Sequence, residues 1–532
     1  MPLPAEQPGR KGSSVGGKIA RAALVLMVGT VLSRVLGLGR ETTIATLFGG
    51  GAQVDAFTIA NHVATIVYDL LIAGTVSAAL VPVLSEYTAT EEQRPEFARV
   101  LSSVLTIASI FLLLSVVALE LFAQPLVNFM CAGKDGQTCA LALTMTQWVL
   151  PGVLFMGLAG VVTAAHYALG RFVYPALTST LFNAAIIFFA FTLAGALGVK
   201  SLAIGLVVGA FGMLALQLPG LRDIPIRPTL NWSHPAVGKI LRLYAPVGLS
   251  VVITSGALII DRNLASQAGE GSISAMRYAT TLVQFALGLV AAAISLASLP
   301  SLSQHFSTGN TEGYKRTLAA GLRMVMVMVL PAAAGLLALA VPVVALFFRH
   351  GEFNLADQDR TVTALLFYVP GLPFSALDQI LIFAFYARKN TLTPVIVGIA
   401  AIGVYLAVAL STVSTMGMAG LVLANSAQLA FHAIVTGVLL WRALRTDGGL
   451  RGFGIRDTTL KAGAAALLMA LLSYALWWSL VQVVRGDTLL EKTLLLGIPA
   501  LAGAGLYALL VWRMRLPEVE LIAAKIQGRL RR

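Results

Sequence analysis

Asp55, Thr58, His62, Thr65 and Asp69 recur every three or four positions. A helix of about 3.6 residues per turn gathers them on one face. Carboxylates, hydroxyls and an imidazole placed this way could hold a cation, pass a proton or pair with a neighbouring helix, but they do not face lipid. Arg277, Thr281 and Gln284 repeat the pattern at i, i+4 and i+7, with Tyr278 beside them. Arg34 and Arg40 offer planar guanidinium forks suited to phosphate, although an arginine at a helix end more often snorkels to the interface. Asp261 and Arg262 are adjacent and read equally well as a neutralised pair or a site; Asp378, next to Gln379, reads equally well as functional or as a structural hydrogen bond. His166, His432, Asn183 and Asn425 stand singly and read as helix-to-helix hydrogen bonds. Arg34, Arg40, Arg262 and Arg277 are matched one for one by Asp55, Asp69, Asp261 and Asp378.

The chain shows no Walker loop, no metal-ligand spacing and no nucleophile paired with a base. Neither ATP hydrolysis, covalent catalysis, a bound metal nor a cofactor is expected.

The elements that must position these residues are membrane helices. The 532 residues are 58% hydrophobic and 11% charged, and the mean hydropathy is +0.85. Apolar runs recur at 19–38, 54–82, 100–124, 142–168, 176–195, 202–219, 242–262, 276–299, 320–347, 362–387, 393–412, 418–441, 460–481 and 492–512. Each suits a hydrocarbon core of about 30 Å. The fold class is therefore an all-α polytopic membrane protein of about fourteen transmembrane helices.

The net charge of +13 would suggest nucleic acid in a soluble protein, but its placement points to a bilayer. With the N-terminus inside, one side holds Arg94, Arg99, Arg171, Arg222, Arg227, Lys239, Arg242, Lys315, Arg316, Arg323, Arg388, Lys389, Arg442, Arg445, Arg451, Arg456 and Lys461. The other holds only scattered cations: Lys134, Lys200, Arg349, Arg360, Arg485 and Lys492. Both termini are thus expected in the cytoplasm. Cys131 and Cys139 share an external loop, as a disulfide or as two free thiols.

The expected organisation is a disordered tail (1–18), an N-lobe (19–219), a cytoplasmic linker (220–241), a C-lobe (242–441), a cytoplasmic loop (442–459), two further helices (460–512) and a basic tail (513–532). Six spans per lobe return each lobe to the same side, as in a parallel duplication.

The run TVLSRVLGLGRETTIATLFGGGAQVDAF at 30–57 resembles the opening of the MurJ/MviN family, the lipid II flippases of the MATE-like exporter superfamily. LPSLSQHFSTGN at 299–310, LFFRHGEF at 346–353 and FAFYARKNTLTPV at 383–395 resemble later stretches in the same order. The resemblance implies two six-helix lobes around a central cavity, with the last two helices forming a groove for a polyprenyl tail. It implies alternating access that carries an undecaprenyl-pyrophosphate-linked disaccharide-peptide to the outer leaflet of a bacterial plasma membrane. A coupling cation or the membrane potential would drive the cycle, and wall-synthesis enzymes would be the protein partners.

Arg34, Arg40 and Asp55 match residues important for activity in the family. The chain departs from the pattern at Tyr68, Asp69 and Thr281, where family members carry arginine; Arg277 lies one turn before Thr281. Two other readings fit the same residues. One is an exporter of another lipid-linked glycan or of small cationic compounds, favoured by the acidic stripe; the other is a non-transporting scaffold for wall synthesis.

Overall fold

The computed structural model describes residues 15–69, 79–88, 91–445 and 449–516, and all regular structure among them is helical. The N-lobe comprises α1 (Val15–Phe48), α2 (Ala52–Tyr68), α3 (Val81–Ser85), α4 (Arg94–Met130), α5 (Gly136–Ala168), α6 (Val173–Leu197) and α7 (Lys200–Gln217). The C-lobe comprises α8 (Pro235–Gln267), α9 (Ser272–Ser307), α10 (Thr311–Ala338), α11 (Ala340–Phe347), α12 (Leu355–Tyr368), α13 (Leu372–Ala387), α14 (Leu392–Met416) and α15 (Met418–Arg445). α16 (Ile455–Val481) and α17 (Leu489–Arg513) follow, packed on each other and on α10 and α11.

Among the described residues, ten helical segments are long and apolar enough to cross a bilayer. Their outward faces expose Leu121, Phe188, Phe191 and Leu501, which suits hydrocarbon as solvent. The long helices outside those ten are α1, α2, α8 and α9, and these carry the charges that meet between the lobes. Packing repeats from lobe to lobe: α6 on α7 is mirrored by α14 on α15, and α5 on α7 by α13 on α15. That repetition is what a parallel duplication predicts.

Several boundaries differ from the apolar runs. The run 320–347 is two helices, because Pro342 has no N–H for the carbonyl of Ala338 and α10 ends there. The run 362–387 starts earlier, at a capping box of Asn354 and Asp357, and breaks at the tight turn Val369–Gly371, where Pro370 cannot donate. α1 continues past residue 38 to Phe48, carrying Arg40 and Glu41 inside the helix. α8 begins at Pro235, within the stretch read as linker, and residues 15–18, read as tail, already belong to α1. The remainder of the N-terminal tail, residues 70–78 of the second run and the basic tail from 517 lie outside the described residues.

Candidate functional site

The centre of the lobe interface is one buried carboxylate, Glu41 on α1, only 1% exposed. Arg277 on α9 donates to both its oxygens, Nε to Oε2 at 2.7 Å and Nη2 to Oε1 at 2.9 Å. Arg40 adds Nη2 to Oε1 at 2.6 Å. The remaining donors are also directed: Arg277 Nη1 meets Thr58 Oγ1 at 3.2 Å, and Arg40 Nη1 meets Asn183 Oδ1 at 3.0 Å. Arg277 further stacks over Phe57, 4.9 Å from its ring centre. Buried charge persists only when paired and hydrogen-bonded, and here the pairing crosses from one lobe to the other. Sequence reading missed Glu41. The apolar run Ile44, Ala45, Leu47, Phe48 after it was the available sign that the helix continues through the charges.

Asp55 does not line a cavity. It is 0% exposed and caps the start of α9, accepting from Gly271 N at 2.9 Å and Ser274 N at 2.8 Å. Lys134 Nζ lies 2.7 Å from its Oδ2 and also donates to the carbonyl of Gly269. Beside this latch, Tyr278 donates to the carbonyl of Gly49, and Gly50 N to Asp357. Gly271 has φ +73°, and a Cβ there would meet the Gly50 carbonyl at 2.5 Å, so the contact requires glycine. Cys131 and Cys139 are joined, and between them Gly133 N donates to Ser266 Oγ. The disulfide loop therefore brings Lys134 and Gly133 onto the C-lobe.

Deeper along α2, His62 accepts from Arg262 Nη2 through Nε2 at 3.0 Å, while Nδ1–H donates to the Thr58 carbonyl at 2.6 Å. Arg262 sits 3.7 Å from Asp261, which also accepts from the Tyr405 hydroxyl. Nε and Nη1 of Arg262 are buried with no hydrogen-bond partner among the described residues. This group borders a cavity of about 340 Å³ inside the C-lobe, with Thr280, Gln284 and Asn425 on other walls. Arg34 crosses the interface to the carbonyl of Gln284 at 3.2 Å.

The other expected residues lie elsewhere. Thr281 only donates to the carbonyl of Arg277. Asp378 pairs with His432 at 2.6 Å inside the C-lobe, and the second ring nitrogen faces the Pro394 carbonyl, so both ring nitrogens are occupied within this lobe. Asp69 caps the far end of α2, fourteen residues or roughly 21 Å from Asp55. The one-for-one charge balance thus fails in space: Lys134 pairs with Asp55, His432 pairs with Asp378, and Asp69 stands at the other end of α2, about 10.5 Å along the helix from His62. Four arginines at the interface, Arg34, Arg40, Arg262 and Arg277, face two carboxylates, Glu41 and Asp261, a surplus of two positive charges. Among the described residues, no three His, Cys, Asp or Glu side chains converge as a metal site.

A family model described as Lipid II flippase MurJ matches residues 44–494. The chain belongs to the MurJ family. It is 32% identical to the lipid II flippase MurJ of Burkholderia cenocepacia over 441 residues, 80% of this chain and 84% of that protein. It is 30% identical to the probable lipid II flippase MurJ of Vibrio cholerae over 479 residues, 88% of this chain and 90% of that protein. A solved MurJ structure in an inward closed conformation superposes with a TM-score of 0.75 at 24% identity, covering 91% of this chain and 98% of that one. An inward-facing MATE family transporter of the MOP superfamily gives 0.68 at 17% identity, covering 81% and 98%, so MurJ and MATE proteins share this architecture.

Proposed function

We propose that the protein flips lipid II from the cytoplasmic to the outer leaflet of the bacterial inner membrane by alternating access. The observation that carries this reading is the surplus of two positive charges between the lobes, which suits a diphosphate. Nε of Arg262 makes no hydrogen bond and Nη1 has only the long 3.7 Å approach to Asp261, so both are donors for such a group, and Arg34 is the arginine least engaged by carboxylates. The acidic stripe that would favour a cationic cargo is absent as a surface, since Asp55 is enclosed by Lys134 and α9.

The lobes are joined at the disulfide-bearing end by the Asp55 latch and deeper down by Glu41 with Arg277. Opening that end requires these contacts to break, while substrate phosphate at the arginines would replace part of the lost charge pairing. α16 and α17 supply the apolar surface for the polyprenyl tail, and the membrane potential or a coupling cation drives the return. The cation-rich connections support a reading with both termini in the cytoplasm and the disulfide outside. No bond of the cargo changes, so the protein acts as a transporter.

Complementation of a strain depleted of its own lipid II flippase tests this. Wild type restores growth, and well-expressed Arg34→Ala, Arg40→Ala and Arg277→Ala do not. Rescue by all three variants would exclude the arginines from cargo handling, and growth failure with well-inserted wild type would reject the flippase reading.

A further inference from the structure

We propose that a cavity at the disulfide-bearing end, between the α11–α12 and α16–α17 connections, binds the phosphate of a lipid headgroup. It is a wide opening of about 690 Å³, and Arg349, Arg485 and Lys492 line it against a single carboxylate, Asp487. The formal balance is three cations to one anion, on the side of the chain where cations are few.

The positive charge is not consumed locally. Lys492 is 6% exposed, and its ammonium donates to the backbone carbonyl of Arg349. Arg349 in turn donates to the carbonyl of Gly486 and reaches Gln358 Oε1 at 3.5 Å. All three acceptors are neutral. Glu491, next to Lys492, instead accepts from the backbone N–H groups of Asp487 and Thr488. The first turn of α12 forms another wall through Leu355 and Ala356, whose N–H groups come before the capped Asp357 N–H at the start of a 14-residue helix.

A second observation identifies the phosphate as one borne by a lipid. Leu355 in the lining, and Val483, Leu489 and Leu490 within three residues of the lining Arg485 or Lys492 in the chain, are 61%, 83%, 63% and 69% exposed. Apolar side chains so bare belong at a hydrocarbon boundary, which sets the three cations at headgroup depth. In the orientation proposed above, that is the outer leaflet. Two lipids present phosphate there: the exported diphosphate lipid, an assignment that rests on the flippase reading, and resident anionic phospholipid.

The test uses the full chain in nanodiscs of phosphatidylcholine doped with phosphatidylglycerol or with undecaprenyl diphosphate. A benzophenone amino acid replaces Ala356, and lipid adducts are counted by mass spectrometry after illumination. The doped anionic lipid is expected to exceed its bilayer share by at least about fivefold in the adducts, and to return to that share in Arg485→Gln and in Arg485→Gln with Lys492→Gln. Arg485 is exposed, so its single variant keeps the fold if loss of Lys492 does not. Arg99→Gln, at the opposite end, leaves the enrichment unchanged. Adducts at bilayer share in wild type, or enrichment that survives both glutamine variants, overturn the site. Preference for undecaprenyl diphosphate over phosphatidylglycerol makes it an exit station for cargo; equal enrichment makes it a seat for resident lipid. Failure of the flippase reading registers separately, as phosphatidylglycerol enrichment by a chain that does not complement.

Discussion

In the N-lobe, α1 lies flush along α6: Gly29 sits where an added Cβ would be 2.4 Å from the carbonyl oxygen of Ala176, and Gly37 approaches Asn183. In the C-lobe the corresponding helix, α8, touches α14 only sparsely, and the space between them and α9, α13 and α15 is the polar cavity holding Asp261, Arg262 and Tyr405. Two copies of one helix order have thus specialised. The N-lobe is closed and contributes the buried acceptors Glu41 and Asp55, while the C-lobe stays open and contributes Arg277 to Glu41 and Arg262 with donors that make no hydrogen bond.

The largest effect is expected at the shared seam. Glu41→Gln leaves Arg277, 10% exposed, and the partly buried Arg40 with no carboxylate between them, a loss of about 3 kcal/mol. Thermal unfolding in detergent should show it as a lowered midpoint, and complementation should fail. Retained stability would mean that the seam opens to water and that Glu41 does not bind the lobes together.

The lobe comparison itself is broken or upheld by a glycine pair. Gly29→Ala forces α1 from α6 and should cost about 1–3 kcal/mol, whereas Gly256→Ala on α8, whose new Cβ meets nothing within 4 Å, should be silent. Equal melting shifts for the two variants would erase the proposed asymmetry. A smaller change is expected from Tyr405→Phe, which removes the hydroxyl donor to Asp261 for about 0.5–1.5 kcal/mol. Transport should slow while expression and melting stay near wild type, and an unaltered transport rate would detach the C-lobe cavity from the cycle.

The smallest lies at the linker. The Arg171 guanidinium hydrogen-bonded to Asp223 holds its carboxyl down at about 2, below the ordinary 3.8. With the folded value depressed, the contribution is complete above pH 4 and fades only as pH falls toward 2. Both partners are about one-third exposed, so solvent screening limits Arg171→Ala to about 1 kcal/mol. Its melting shift should be the same at pH 7 and pH 5, and a shift that disappears at pH 5 would assign the effect to another group.

Most of the helices were legible because lipid demands long apolar runs. The failures occur where polarity inside a run is neutralised from far away. α1 was cut at residue 38 because Arg40 and Glu41 look like a helix end, yet their partner Arg277 lies 236 residues along from Glu41. The spacing of Asp55, Thr58 and His62 gave the correct face of α2, since Thr58 meets Arg277 and His62 meets Arg262. The spacing did not tell a cavity wall from a helix cap. That distinction depends on Gly271 and Ser274, which periodicity on α2 says nothing about. Asp69 joined the same face by arithmetic but stands at the helix end as its C-cap, and Asp378 found His432 only through the packing of α13 on α15.

α16 and α17 rest on α10 and α11 and so travel with the C-lobe as one body. Both walls of the headgroup cavity, the α11–α12 turn and the α16–α17 turn, belong to that body. Rocking of one lobe on the other rewrites distances across the seam but leaves these walls at fixed separation. In the C-lobe's frame of reference the cavity is stationary through the whole stroke, a berth whose shape is the same whichever way the protein faces.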